Sequence, residues 1–178
     1  MIKIIDNILP FLFIIAVVSF IVFIILGIGN KVYESGESNV IFFSKGNKYY
    51  RVSAILTISS FISIFSLSSF QSKLSRTEIK EKIEKIADKN YELIINDTIR
   101  KNDNLLIDIK NIKKETGQRN TGSLEINVKI KNRNETINLM LLRDFDIKTT
   151  YWVFYKNYAS TTKNCIGEIN TETLNEYQ

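Results

Sequence analysis

The stretch ILPFLFIIAVVSFIVFIILGIG, residues 8–29, decides the architecture of this 178-residue chain. It contains no charged residue, and a helix of about 20 apolar residues crosses the roughly 30 Å hydrocarbon core of a bilayer. Its proline, Pro10, lies near the start, where a helix tolerates a missing N–H. A cleaved signal peptide is the alternative, but the run exceeds a typical signal-peptide core and lacks an A-x-A-like cleavage site. The stretch therefore predicts a transmembrane helix.

A second uncharged run, VSAILTISSFISIFSLSSFQS, covers residues 52–72 and is rich in serine. A serine hydroxyl in a membrane helix bonds to its own backbone or to a neighbouring helix. The i, i+4, i+7 spacing of Ser59, Ser63 and Ser66 predicts a helix–helix contact with the first span, or with the same span of a second copy. A buried helix of a soluble protein is the alternative, and it fits poorly beside so apolar a first span. We therefore predict a membrane region over residues 1–72, with a loop at 30–51.

The orientation of the two spans follows from the lysine and arginine residues near their ends. The loop between the spans carries Lys31, Lys45, Lys48 and Arg51. The opposite side carries the terminal amine and a larger basic set: Lys3, Lys73, Arg76, Lys80, Lys82 and Lys85. Because cytoplasmic segments are enriched in basic residues, this count predicts that both termini are cytoplasmic.

Residues 73–178 are predicted to form a soluble domain that begins with a helix. Ile79, Ile83 and Ile86 form an apolar stripe at helical spacing. The pair Ser75 and Glu78 has the spacing of a capping box, which predicts a fresh helix start or a hinge there.

The rest of the domain reads as a hairpin, a helix and three strands. Asn96-Asp97 separates two β-prone pieces, as in a hairpin turn. A helix follows with Leu105, Ile109 and Ile112 on one side. Residues 124–130 then alternate apolar and polar side chains, the period of a half-buried strand, and two further strands follow after turns. The order helix, hairpin, helix, three strands predicts an α+β fold with an antiparallel sheet.

The stretch TYWVFYKNY, residues 150–158, is the most aromatic part of the domain. In a strand, Tyr151 and Tyr155 face one side, whereas Trp152 faces the other. Two interpretations stay open. The strand is buried on both faces, or Tyr151, Trp152, Tyr155 and Tyr158 form the surface that binds a partner, since exposed aromatic patches mark protein interfaces.

This aromatic run belongs to a tail that resembles a group of uncharacterised bacterial inner-membrane proteins, which have paired N-terminal spans and a tail of the form RDS…EYWVFYPxY…NEIGxIxT. The matching positions are Arg143, Asp144, Tyr151, Trp152, Val153, Phe154, Tyr155, Tyr158, Thr161 or Thr162, Asn164, Ile166, Gly167, Ile169 and Thr171. Phe145, Lys156 and Cys165 depart from the pattern. The resemblance implies a multi-pass protein of the bacterial inner membrane and implies no activity.

The composition argues against an enzyme. The chain has no histidine and one cysteine, so it lacks the usual general base and every Ser-His or Cys-His pair. Asp144 and Asp146 could hold a hard cation, but no third ligand is evident. We instead predict that Arg143 pairs with Asp144 to shape a turn, and we expect no cofactor and no bound metal. A net charge of +5 with interleaved signs also predicts no nucleic-acid binding.

These observations predict a non-enzymatic, membrane-anchored module that binds another protein, as an accessory subunit or an immunity-type partner does. The expected partners are the lipid bilayer and one further protein. The alternative is a small channel or transport component, formed when the serine-rich second span oligomerises. Neither span carries an ionisable residue, which conduction ordinarily requires.

Overall fold

The computed structural model describes residues 1–34, 48–87, 91–100, 103–115 and 121–175. The chain divides into two compact units, one of residues 3–69 with Met1 and one of residues 70–178 with Ile2. We refer to them as the helical unit and the sheet unit. The predicted boundary between residues 72 and 73 lies close to this division.

Two long helices, α1 (Ile2–Glu34) and α2 (Lys48–Ala87), make up the first half of the described chain. Both are long and apolar enough to cross a membrane, over Ile2–Gly29 and Lys48–Ile86. The predicted loop at residues 30–51 is shorter than expected, because both helices extend into it. Its centre, residues 35–47, lies outside the described residues.

The predicted helix start or hinge at Ser75 and Glu78 is wrong, because α2 continues through both positions. No glycine or proline interrupts the sequence between Gly46 and Gly117, so nothing in the backbone forces a break. Ser75 is fully buried in the middle of the helix, where it cannot act as a cap. The helix therefore carries the chain from the helical unit into the sheet unit without interruption.

In the helical unit, α1 and α2 pack antiparallel. The hydroxyl of Thr57 donates a hydrogen bond to that of Ser19 at 3.1 Å. Further along α1, the ring of Phe23 stacks on Tyr50, with 5.0 Å between their centroids. Later residues of α1 thus contact earlier residues of α2, as in an antiparallel pair.

The sheet unit contains a six-stranded antiparallel sheet in the order β2-β1-β3-β4-β5-β6. Its strands are β1 (Glu92–Ile95), β2 (Thr98–Arg100), β3 (Thr121–Lys131), β4 (Thr136–Asp144), β5 (Thr150–Tyr155) and β6 (Gly167–Asn170). Two short helices, α3 (Asp103–Lys110) and α4 (Ala159–Lys163), complete it. The mixed helix-and-sheet architecture predicted from the sequence is therefore confirmed.

The hairpin of β1 and β2 follows the sequence prediction. Asn96 and Asp97 have φ angles of 45° and 63°, in the left-handed region. Two successive positive φ angles define the type I′ turn, whose twist matches that of the flanking strands. Asparagine and aspartate tolerate this conformation better than other non-glycine residues.

The prediction of three final strands is incomplete, because β6 and α4 were not anticipated. The four residues of β6 contain one large apolar side chain, Ile169, so they show no alternating pattern. Long-range pairing forms this strand instead. One edge pairs with β5, and on the other edge the backbone N–H and C=O groups of Lys113 and Glu168 exchange two hydrogen bonds of 3.0 Å.

One face of the sheet packs against α2 and α3 to form the main core. The stripe Ile79, Ile83 and Ile86 is buried, as predicted. The predicted apolar side of the helix, which extends two residues beyond the end of α3, and the alternating positions of β3 are buried as well: Leu105, Ile109, Ile112, Ile126, Val128 and Ile130. We refer to the opposite side of the sheet as the open face.

Candidate protein-binding face

Strand β5 lies in the interior of the sheet unit and is buried along its whole length. Tyr151 and Tyr155 face the main core, where neither side chain is exposed. Trp152 points to the open face, and it is also buried, in a small cluster with Phe154 and Cys165. The strand is thus covered on both faces. The interpretation of Tyr151, Trp152 and Tyr155 as a partner surface does not hold for this structure.

Tyr155 and the half-buried Tyr158 meet two charged side chains of α2. The hydroxyls of Tyr155 and Tyr158 donate hydrogen bonds to the two carboxylate oxygens of Glu78, at 3.0 and 2.7 Å. The ammonium of Lys82 lies 2.6 Å from the same carboxylate and 3.1 Å from the Tyr155 hydroxyl. We refer to these four residues as the helix–sheet clamp, because they join α2 to the end of β5.

The electrostatics of the clamp favour a neutral phenol beside a charged carboxylate. Burial raises the pKa of Tyr155 far above its usual value, and the charge of Glu78 and its hydrogen bond act in the same direction. Burial alone would raise the pKa of the Glu78 carboxyl. The hydrogen bonds from Lys82, Tyr158 and Tyr155 outweigh that effect, so this pKa lies below its ordinary value. The clamp therefore suits docking of the helix better than proton transfer.

The turn between β4 and β5 is shaped by Asp144 and Arg143, as predicted, but not by an ion pair between them. One carboxylate oxygen of Asp144 accepts the backbone N–H groups of Asp146 and Ile147, both at 2.9 Å. The other accepts the indole N–H of Trp152 at 3.2 Å. The Arg143 guanidinium donates to the carbonyl of Lys148 at 2.8 Å. Each side chain thus holds the turn separately.

These contacts bear on the hypothesis of a cation at Asp144 and Asp146. Both oxygens of Asp144 already accept hydrogen bonds from the protein, and a metal would have to displace those donors. Within the described ranges, no three histidine, cysteine, aspartate or glutamate side chains lie together as metal ligands would.

The open face contains a polar network on β3 that the sequence did not reveal. The ammonium of Lys156 lies 2.6 Å from the side-chain oxygen of Asn127 and 3.6 Å from the carboxylate of Glu125. Asn127 also donates its side-chain amide to Glu125 at 3.2 Å. All three side chains are exposed, and Lys129 is exposed on the same face.

Apolar side chains continue the open face beside this network. Met140 and Leu142 on β4 are half-buried and pack against the cluster of Trp152, Phe154 and Cys165. Register places Asn127 opposite Met140 and Glu125 opposite Leu142. Polar and apolar groups thus lie side by side on two central strands. We define Glu125, Asn127, Lys129, Met140, Leu142 and Lys156 as the candidate binding face.

The serine face predicted for the second span is rotated around the helix. The residues of α2 buried in the helical unit are Ser53, Thr57 and Ser60. They also have the i, i+4, i+7 spacing, but each lies six residues before its counterpart in the predicted set, which places them about 120° away around the helix. Of that set, Ser59 and Ser66 are exposed and Ser63 is half-buried. Sequence spacing could not choose between the two sets, because both contain hydroxyl residues.

Comparison of the chain with protein-family models, with curated proteins and with solved structures finds no match.

Proposed function

We propose that this chain is a non-enzymatic, membrane-anchored module that binds another protein through the open face of its sheet. An accessory subunit or an immunity-type partner would have this organisation. The observation that carries the proposal is the combination of two apolar helices with a sheet unit in which β3 and β4 carry exposed polar and half-buried apolar side chains side by side on one face. Interfaces typically combine these two kinds of group.

The anchoring part of the proposal is supported by the side chains that the two helices leave exposed. Phe11, Ile14, Ile25, Ile62 and Phe65 are all more than half exposed in the helical unit. Exposed apolar surface of this extent would be unfavourable in water and favourable in hydrocarbon. The resemblance of the C-terminal tail adds a bacterial inner membrane as the proposed location.

The binding part is supported by the fixed geometry of the candidate binding face. The network of Lys156, Asn127 and Glu125 holds three polar side chains in defined positions on rigid strands. Half-buried Met140 and Leu142 supply apolar area that a partner could cover. Exposed ion pairs contribute little to stability, so these side chains can be replaced without affecting folding.

Site-specific photo-crosslinking of the full chain in its native membrane tests this proposal. A photoreactive residue in place of Lys129 is expected to capture a discrete partner. The same residue in place of Ile107, which is exposed on α3, is the matched control and should capture nothing in common with it. Identical capture patterns at both positions, or none at Lys129, would contradict binding through this face.

The proposed orientation, with both termini in the cytoplasm, is tested by fusing compartment-specific reporters after Gln178. Activity of the cytoplasmic reporter alone is expected. Activity of the periplasmic reporter would reverse the orientation and place the partner outside the cytoplasm, while leaving the anchoring intact.

One observation favours the alternative function of a small oligomeric channel or transport component. Ser59 and Ser66 are exposed among apolar side chains on the outer surface of α2, where their hydroxyl oxygens could accept hydrogen bonds from a second copy. Replacing both spans by an unrelated two-helix anchor separates the functions. A binding module would retain partner capture at Lys129, whereas a channel would lose its activity.

A further inference from the structure

We infer that the β4–β5 turn, residues 145–149, is a second membrane contact: its tip enters the lipid headgroup region and holds the sheet unit against the bilayer. The inference rests on the membrane anchoring proposed above and goes beyond it, because it assigns a lipid-binding site to the sheet unit itself. The occupant is the bilayer surface. A protein partner or a second copy at this turn is an outcome of the test below.

The turn exposes two large apolar side chains at adjacent outward positions. Phe145 is 70% exposed and Ile147 is 58% exposed. Single exposed apolar residues are ordinary on soluble proteins, but the described part of the sheet unit has few of them: Phe70, Ile99, Ile107, Phe145 and Ile147. Two of these five lie on one five-residue turn.

The turn is held in place by contacts that leave its apolar side chains outside. Asp144 accepts two backbone N–H groups and the indole of Trp152, so its carboxylate faces inward and is buried. The Arg143 guanidinium donates to the Lys148 carbonyl and, at 3.4 Å, to the side chain of Asn175. A preorganised tip loses little conformational entropy when it binds.

The turn lies at the end of the sheet unit where α2 enters. Arg76 on α2 donates a hydrogen bond to the carbonyl of Ile166, whose own N–H bonds to Val153. Later on α2, Glu78 and Lys82 contact Tyr155. Later residues of α2 therefore contact residues nearer the C-terminal end of β5.

The reverse direction along α2, from Arg76 back to Phe70, leads toward the start of β5 and so toward the turn. Phe70 is the first residue of α2 in the sheet unit and is itself exposed. It lies within the stretch Lys48–Ile86 that is long and apolar enough to cross a membrane, two residues before the end of the uncharged run of residues 52–72. Three of the five exposed apolar side chains thus lie at the end of the unit where this uncharged run ends.

The other two exposed apolar side chains lie toward the opposite end. Ile99 pairs with Ile94, which pairs with Lys129, and Lys129 pairs with Asn138. The carbonyl of Asn138 accepts the N–H of Lys156, just beyond β5. Ile107 precedes Lys110, which forms an ion pair with Glu84 late in α2, at 3.1 Å.

The exposed charges of the turn suit an interfacial position rather than a deep one. Asp146 and Lys148 flank Ile147 and are both exposed. A lysine can extend its ammonium into the headgroup layer while its aliphatic stem covers apolar surface. The carboxylate of Asp146 favours the hydrated side of that layer. We therefore place Phe145 and Ile147 among the headgroups and upper acyl chains, as for other interfacial segments.

Fluorescence of the full chain in phosphatidylcholine–phosphatidylglycerol bilayers tests the inference. In a Cys165→Ala background, single cysteines replace Phe145, Ile147, Ile99, Ile107 or Ile62, and each carries an environment-sensitive label. We expect shallow lipid-borne quenchers to remove about half of the emission at 145 and 147. Labels at 99 and 107 should respond to aqueous iodide and not to lipid quenchers. The emission of Trp152 verifies that each variant is folded.

The label at Ile62 separates the two proposals, because this side chain is 61% exposed on the apolar part of α2. Lipid quenching at 62 without quenching at 145 and 147 would overturn the turn contact and leave the anchoring in place. A lack of lipid quenching at 62 would overturn the anchoring itself. A blue-shifted label at 145 that neither quencher reaches would indicate a protein contact, and would also overturn the inference. As a second variant, Phe145→Ser should reduce the lipid quenching of a label at 147.

Discussion

The two units of this protein bury different proportions of small and large side chains. The helical unit buries mostly small or hydroxyl-bearing residues, among them Ala16, Ser19 and Thr57, together with Ile5 and Leu26, and it exposes many phenylalanine and isoleucine side chains. The sheet unit buries isoleucine, leucine and aromatic residues, and exposes lysine, glutamate and asparagine on its open face. Each pattern would be unstable in the surroundings that suit the other.

The difference has a physical cause. In water, apolar burial contributes about 25 cal/mol per Å² and drives the sheet unit to enclose its large side chains. In hydrocarbon this driving force between helices is absent, so helices associate through close packing of small residues and interhelical hydrogen bonds. The composition of the two interiors therefore agrees with the membrane anchoring proposed for the helical unit. Substitutions matched between the two units test this comparison.

The largest effect is expected from Trp152→Ala. The substitution removes a buried indole and leaves one carboxylate oxygen of Asp144 without its donor, so the sheet unit should lose about 3–5 kcal/mol of unfolding free energy. Urea titration of the full chain in detergent micelles, followed by far-UV circular dichroism, measures this loss. Ile99→Ala is the control, because this exposed side chain should change the free energy by less than about 0.5 kcal/mol. Equal effects of the two substitutions would mean that Trp152 is not in the core.

A glycine in each unit gives the next comparison. A Cβ atom added at Gly167 would lie 2.1 Å from the carbonyl oxygen of Lys113, so Gly167→Ala must separate β6 from its bridge. We expect a loss of about 1–3 kcal/mol, as for other overpacked sites. At Gly27, the nearest atom to an added Cβ is a Tyr50 ring carbon at 3.9 Å, an ordinary contact.

Gly27→Ala in α1 should therefore be neutral, or stabilising by up to about 1 kcal/mol through helix propensity. The midpoint of the Trp152 fluorescence transition in urea reports on Gly167→Ala. Thermal loss of helical circular dichroism reports on Gly27→Ala. A destabilising Gly27→Ala would show that the helices pack more closely than their contacts indicate.

Residue patterns predicted those parts of the fold that depend on local periodicity. The isoleucine stripe of α2, the alternation in β3 and the Asn96-Asp97 turn each specify their own structure, because the information lies within a few neighbouring residues. Strand β6 could not be predicted in this way, since its pairing partners, β5 and Lys113, are distant in sequence. The break predicted at Ser75 failed for a related reason: the residue is buried by the sheet, and tertiary packing outweighs a capping signal.

The candidate binding face could not be predicted from the sequence either. Nothing in the sequence around Lys156 indicates a contact with β3. Its contacts with Asn127 and Glu125 depend on the register of β3 against β4 and β5, which no single segment encodes. The aromatic residues of β5, by contrast, were consistent with both burial and partner binding, because both roles favour tyrosine and tryptophan. Of these two roles, the structure shows burial.

The buried phenols of the sheet unit predict a loss of stability at alkaline pH. The pKa of Tyr155 in the folded state is raised by burial and by Glu78, and burial also raises that of Tyr151. Above pH about 10 the unfolded state releases phenolic protons that the folded state retains. The unfolding free energy should then fall by about 1.4 kcal/mol per pH unit for Tyr155, and Tyr151 should act in the same direction. Below pH about 10 these two groups should not make the unfolding free energy depend on pH.

Tyr155→Phe isolates one of the two phenols. It should reduce the alkaline slope without abolishing it, because Tyr151 remains, and should cost about 1 kcal/mol at neutral pH through the lost hydrogen bond to Glu78. Urea titrations between pH 8 and about pH 11, followed by the emission of Trp152, measure both quantities. An unchanged slope in Tyr155→Phe would mean that Tyr155 already ionises in the folded state.

The smallest effect is expected in the helical unit, from Thr57→Val. This substitution keeps the shape of the side chain and removes the hydroxyl that donates to Ser19, and interhelical hydrogen bonds in bilayers contribute about 0.6 kcal/mol. Ser59→Ala is the matched control. The Ser59 hydroxyl donates to the carbonyl of Leu56 in its own helix at 3.2 Å, so its loss should not affect the pairing of α1 with α2.

Reversible separation of α1 from α2 in lipid bicelles, measured by steric trapping, can resolve a difference of this size. A larger effect of Ser59→Ala than of Thr57→Val would reassign the serine contacts. The surface of Ser59, Ser63 and Ser66 would then contact a second copy of α2, and this association would stabilise the pairing of α1 with α2. That outcome would also favour an oligomeric membrane component over a binding module as the function. The serine-rich surface would then be an interface and not a lipid-facing side of the helix.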